Sequence, residues 1–274
     1  MHSAIIGNQF FYIVSVYLDL MIHAKIEIIP IHIPAAIKPD DKLDLIILES
    51  ICQAHENLYD RDIIVIAQKI ISKSEGRIVN LNLINPSDKS FQLARKNCKD
   101  ARIVEMILSE SKEVIREDRG VIIVETRQGF VCANAGIDQS NVEDSDNHVV
   151  LLPIDADESA RKIRHSIKKQ TTKNVAVVIT DTFGRPFREG QTNVAIGIAG
   201  IKPIKSYVGT LDMYGKKLKV TEIATADEIA SAAELVMGKS DRIPVAIVRG
   251  CMYDAEDKPS ISNLVRRREK DLFR

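Results

Sequence analysis

In the stretch VITDTFGRPFREGQTN, residues 178–193, an apolar run stops on Asp181 and Thr182, and glycines, arginines, a carboxylate and amides follow at once. In α/β proteins ligands gather at the carboxyl ends of strands, where loops carry function. A carboxylate beside a hydroxyl is hard-ligand chemistry, suited to Mg²⁺ or Mn²⁺ holding a polyphosphate; the plainer alternative is that Asp181 caps the next turn. The stretch from Glu125 to Asn141 repeats the pattern, with Arg127, Gly129, Gly136 and the polar Asn134, Asp138 and Asn141 after an apolar run. Carboxylates from two separate loops, Asp138 and Asp181, can share or bridge cations. Equally, Asn134, Asp138 and Asn141 suit a series of Asx turns.

A third cluster, QKIISKSEG from Gln68, supplies Lys69 and Lys73. Lysine binds phosphate as a point charge, and Ser72 and Gly76 let backbone approach an anion; the same residues also suit a helix cap or a solvated turn. Arg185 and Arg188 flank Pro186-Phe187 and can clamp a phosphate or carboxylate bidentately, or simply be solvated. In the tail, Val248-Arg-Gly-Cys-Met-Tyr-Asp-Ala-Glu again runs from an apolar stretch into acids, with Glu256 as a further candidate metal ligand. Four apolar runs, each ending among acids, bases or amides, point together to one composite site.

The elements that must position these groups are short Val- and Ile-rich strands beginning near Asp62, Gly120, Asn174 and Pro244, each expected to be buried on both faces. The first is read through IIVIAQKI. Helical patterns alternate with them over residues 41–56, about 95–116, 158–169 and 225–237, which implies an α/β or mixed α+β core. Asp155 with Glu158, and Thr225 with Glu228, have capping-box spacing, and Gly238 suits the end of the last helix. That helix has a small alanine face suited to close packing against the sheet or a twin subunit, and carries no assigned chemistry.

The chain has 274 residues, 45% hydrophobic, with 38 basic and 38 acidic side chains. A formal charge of zero argues against nucleic-acid or membrane-surface binding but permits a local basic pocket. Cys52, Cys98, Cys132 and Cys251 are scattered, without a disulfide framework or C-x-x-C pair, so a reducing cytoplasm is expected. Residues 1–20 lack the basic start and cleavage pattern of a signal peptide and do not read as a spanning helix. The absence of a repeat or linker predicts interwoven rather than serial lobes.

Six blocks in order, QKIISKSEGRI, ETRQGFVCANAGIDQSN, VITDTFGRPFREGQTNVAIGIAGI, GTLDMYGKKL, ATADEIASAAELVMGK and PVAIVRG, resemble the coenzyme F420:L-glutamate ligase family from about residue 25 onward. The resemblance implies a family-specific mixed α/β gamma-glutamyl ligase fold with two interwoven lobes, over residues 24–274 after an extension at 1–23, and a homodimer. It implies GTP-dependent addition of L-glutamate to a deazaflavin coenzyme precursor, with two Mn²⁺ or Mg²⁺ ions and K⁺ as an aid. Asp138, Asp181 and Thr182 would then be metal ligands, Gln68, Lys69, Lys73 and Asn141 would contact GTP, and Ile33, Pro34, Ala35 and Ala36 fall at the family's nucleotide-binding turn. His32 stands where that turn usually has glycine, and Gln128 where many relatives have histidine. The alternatives are a catalytically silent nucleotide-binding dimer and a metal-dependent nucleotide phosphohydrolase.

Overall fold

The computed structural model describes residues 25–140 and 144–271. The proposed N-terminal extension and Asn141 therefore lie outside the described residues.

The central sheet has five strands: β1 (Glu27–Ile31), β2 (Ile63–Ala67), β8 (Ala176–Gly184), β9 (Gln191–Ala199) and β12 (Val245–Arg249), in the order β1-β12-β2-β8-β9. Only β2 and β8 run parallel, paired from Ile63 with Ala176 to Ala67 with Thr180. The residues that make β2, the start of β8 and β12 are β-branched or small, and they are buried almost without interruption. That is the pattern of strands covered on both faces. Helix α1 (Leu43–Gln53), α5 (Ala156–Thr171) and α6 (Thr225–Met237) pack with this sheet to form the main core.

Between β2 and β8 the chain leaves the sheet. It forms α2 (Gln68–Ser74), β3 (Ile78–Asn80), α3 (Asp88–Asn97), α4 (Ala101–Ser109), a β4-β5-β6 meander (Ser111–Asp118, Val121–Thr126, Val131–Ala133) and β7 (His148–Val150), which pairs with β3. Two smaller hydrophobic clusters support this excursion, one around Val104, Ile107 and Val124 and one around Leu81, Val149 and Leu151. A short β10-β11 pair (Lys205–Ser206, Glu222–Ile223) brackets an exposed segment before α6.

Several expectations need correction. The strand read through IIVIAQKI ends at Ala67, and Gln68 opens a helix. The helix expected over 95–116 breaks at Cys98, whose φ of 51° is left-handed, and restarts after the Asp100 cap. From Ser111 the chain is strand, turning back at Arg119-Gly120 into β5; the β-branched Val114 pairs with Val124 there, and Ile115 falls at a register shift between Val114 and Arg116. Strand β5 itself alternates buried positions with one exposed and two partly buried ones, so only one of its faces is fully covered. Asp155 does cap α5, accepting from the Glu158 amide at 2.8 Å. Thr225 does not cap α6: Ala224 holds that place without a side-chain bond. Asp227 in the first turn instead accepts the Ala195 amide at 2.9 Å, next to a bulge where β9 slips against β8 at Thr180.

Helix α5 sits hard against β9 because of Gly197: a β-carbon there would lie 2.5 Å from atoms of Ala156. Among the described residues no helix is long and apolar enough to cross a membrane.

Candidate functional site

The parallel pair determines where loops emerge together. Strands β2 and β8 end at one edge of the sheet, and antiparallel β12 begins there, with the Ala67 amide donating to the Pro244 carbonyl at 2.8 Å. A cleft of about 740 Å³ opens at this edge. Its walls are the Ile33–Ile37 turn, the start of α2, the loop after β6, the outer half of the β8-β9 hairpin, and the end of α6 with the loop into β12.

From the β2 side come Gln68, Lys69 and Lys73. The Lys69 ammonium lies 2.8 Å from one Asp138 carboxylate oxygen and also donates to the Ser140 hydroxyl. The other Asp138 oxygen accepts the Ser140 amide at 2.6 Å. Burial pushes the Asp138 carboxyl up, but the Lys69 and Ser140 bonds more than offset this and hold it below its usual value. Lys73 is half-buried; burial first, then the neighbouring Lys69 charge, pulls its ammonium below the ordinary lysine range. Gln68 is 2% exposed: its carbonyl oxygen accepts the Ser72 hydroxyl at 2.9 Å, while its buried amide nitrogen has no hydrogen-bond partner among the described residues. A buried donor left unmet on a cleft wall suits an acceptor group in the cleft.

From β8 come Asp181 and Thr182, one step beyond the core, within the strand rather than in a loop after it. Burial drives the Asp181 carboxyl up to about 6; the Thr182 amide opposes this and the Asp138 charge adds to it. The two carboxylates expected to meet therefore line one cleft and feel each other's charge. Cys132 lies on the same wall, its thiol pushed to about 12 by burial and by Asp181, which keeps it protonated and makes it a packing group, not a nucleophile.

The Thr182 hydroxyl belongs to a network absent from the sequence expectations. It donates to the Asn193 side-chain oxygen at 2.7 Å and accepts from Lys239 at 2.7 Å. Glu234 takes Lys239 on one oxygen at 2.7 Å and the Asn193 amide on the other at 2.9 Å. Helix α6, read as packing only, thus ends at the cleft and delivers Glu234 and Lys239 to it. The signal available was Gly238-Lys239-Ser240, a lysine beside a glycine and a serine at the end of the helix.

Ile33, Pro34, Ala35 and Ala36 all line the cleft, and the Ile33 amide donates to the Arg242 carbonyl at 3.1 Å, which ties that turn to the loop carrying Lys239. Asn134 is also on the wall, in left-handed backbone, with its side-chain oxygen accepting the Ile122 amide at 3.3 Å; it serves its own turn. Arg185 and Arg188 lie beyond the rim at the hairpin tip.

Glu256 is not brought to the cleft. Because β12 is antiparallel to β2, its carboxyl end lies at the far edge of the sheet, where Arg249 binds both Asp62 oxygens at 3.1 and 3.0 Å at the start of β2. Of the four expected strand ends, those of β2 and β8 converge; Asp138 arrives from the loop after β6 and not from the end of β5, and the end of β12 points away.

The donor set fits a hard divalent cation. Asp138 and Asp181 are anionic oxygens in one cleft, Thr182 adds a hydroxyl, and among the described residues no group of three or more His, Cys, Asp or Glu is assembled. Two carboxylates and a hydroxyl are fewer oxygens than a hard divalent cation takes, so an ion held there would draw the rest from a ligand or water.

A family model described as F420-0:Gamma-glutamyl ligase matches residues 31–250. A protein of Methanothermobacter thermautotrophicus called coenzyme F420:L-glutamate ligase is 46% identical over 236 residues, covering 85% of this chain and 93% of its own. Proteins of the same name from Methanocaldococcus jannaschii and Methanopyrus kandleri are 42% and 40% identical, covering 91% and 89% of this chain and 97% and 96% of their own.

Proposed function

Because the chain belongs to the F420-0:gamma-glutamyl ligase family, a family of ligases, we propose that it uses GTP to join L-glutamate to the carboxylate of a glutamate-free coenzyme F420 precursor. The observation that carries this reading is the meeting of Asp138 and Asp181 with Lys69 and Lys73 in one cleft.

A carboxylate is a poor electrophile, so it has to be activated before an amine can attack it. In this reading a precursor carboxylate oxygen attacks the γ-phosphorus of GTP and GDP leaves, which makes an acyl phosphate. The amine of glutamate then attacks the acyl carbon, loses a proton, and inorganic phosphate departs with the oxygen that bridged carbon and phosphorus. Lys69 and Lys73 hold phosphate oxygens as point charges, and the Gln68 amide donates into the same wall. Asp138, Asp181 and Thr182 would hold Mg²⁺ or Mn²⁺, which supplies neutralisation of polyphosphate charge when bound. The Ile33–Ala36 turn supports the nucleotide, and the walls exclude water that would hydrolyse the acyl phosphate. Glu234 fixes Lys239 and Asn193 and so orients the Thr182 hydroxyl.

A homodimer belongs to the same reading. Its support is the exposed apolar surface of Leu211, Met213, Tyr214 and Val220 between β10 and β11.

The rival readings differ in coupling. A phosphohydrolase would release GDP without precursor or glutamate, and a silent binder would release none. The ligase predicts GDP release that requires the precursor, and one ¹⁸O passing from a labelled precursor carboxylate into phosphate. Phosphate free of label would remove the acyl-phosphate route.

A further inference from the structure

Beyond the cleft rim, the β8-β9 hairpin carries a tip that nothing in the mechanism above uses. Phe183, Gly184 and Gln191 still line the cleft; residues 185–190 then project past it. Arg185 is spent on the tip itself, donating to the Glu189 carbonyl and, at 3.3 Å, to the Gly190 carbonyl. This braces the turn. Phe187 is 85% exposed and has a φ of 61°, a left-handed backbone that bulky residues rarely adopt. Arg188 beside it is exposed, and its side chain has no hydrogen-bond or ion-pair partner among the described residues. A strained, braced turn that holds out a large apolar ring and a guanidinium suits a ligand clamp.

Sheet order decides which ligand. Strand β8 carries Asp181 between β2 on one side and β9 on the other. The phosphate-binding lysines and the Ile33–Ala36 turn lie on the β2 side, so the nucleotide approaches from there. The group attacking its terminal phosphorus must come from the opposite side, which is the hairpin.

The geometry points to the hairpin tip as the subsite for the acceptor, with Phe187 stacking on its planar ring and Arg188 pairing with an anion next to that ring. This inference rests on the ligase reading and deepens it by naming where the deazaflavin precursor sits.

The test uses the full chain and four proteins: wild type, Phe187→Gly, Phe187→Trp and Arg188→Ala. Glycine removes the ring while relaxing the left-handed backbone, so strain cannot account for a loss. The KM for the glutamate-free precursor rises about tenfold in Phe187→Gly and Arg188→Ala, stays near wild type in Phe187→Trp, and the KM values for GTP and glutamate stay within about twofold. If wild type ligates glutamate and precursor KM is unchanged in the variants, the subsite is overturned and the function stands. A rise in the GTP KM instead assigns the ring to guanine and also overturns it. If wild type does not ligate, the function fails, and equilibrium binding of the precursor, followed by its ring fluorescence in the same four proteins, still decides the subsite: equal binding or none by all four overturns it.

Discussion

With burial holding its carboxyl at about 6 and the Asp138 charge adding to the effect, Asp181 is costly to ionise at neutral pH unless a cation faces it. An unfolded aspartate titrates near 3.9. Between there and about 6 the folded chain keeps a proton that the unfolded chain has lost, so stability falls as pH rises through that window and stays reduced above it. Asp181→Asn is therefore expected to stabilise the metal-free protein at pH 7 by up to about 3 kcal/mol, with the gain fading below about pH 4. Urea denaturation at the two pH values checks this; no gain at pH 7 contradicts it. Added Mn²⁺ should raise the Tm of wild type but not of Asp181→Asn. Asp138, Asp181, Lys69 and Lys73 were legible in the sequence because each comes in a polar cluster after an apolar run, although Asp181 itself still belongs to strand β8. Glu234 and its bond to Asn193 were not: an acid on an alanine-rich helix does not announce which strand its side chain will reach.

At the scale of elements, α5 packs close against β9, the returning strand of the hairpin, at Gly197. Gly197→Ala puts a methyl group into Ala156, and overpacking of this kind costs about 1–3 kcal/mol. Chemical denaturation should show that loss, and an unchanged midpoint would mean that the two elements can separate without cost. Asp157 reinforces the same junction, accepting the Ile198 amide at 2.8 Å and the Ile261 amide at 3.0 Å, so it fastens the C-terminal segment to β9 and α5. The strands buried on both faces were readable from their unbroken β-branched runs. The stretch 95–116 was not, because its apolar spacing suits a helix as well as a strand, and only the left-handed Cys98 and the Arg119-Gly120 turn divide it. The direction of β12 has no sequence signature, which is why Glu256 was grouped with residues it never meets.

For the whole molecule, one parallel strand pair inside an otherwise antiparallel sheet gathers the chemistry at one edge and leaves the Arg249–Asp62 cluster at the other. The mixed α/β class was visible from the alternation of apolar runs, but the excursion between β2 and β8, with its own small cores, was not. The proposed homodimer predicts two copies in sedimentation equilibrium and a shift to monomer in Met213→Glu/Tyr214→Glu, both exposed positions; a wild-type monomer at micromolar concentration would contradict it. The central claim is that the cleft uniting Asp138 and Asp181 forms an amide between glutamate and the precursor. Product mass tests it most directly, with purified wild type and Asp181→Asn each given glutamate-free precursor, GTP, Mn²⁺ and L-glutamate. The account predicts a glutamyl mass increment that requires GTP in wild type and is lost in a folded Asp181→Asn; no increment in wild type, or an equal one in the variant, would contradict it.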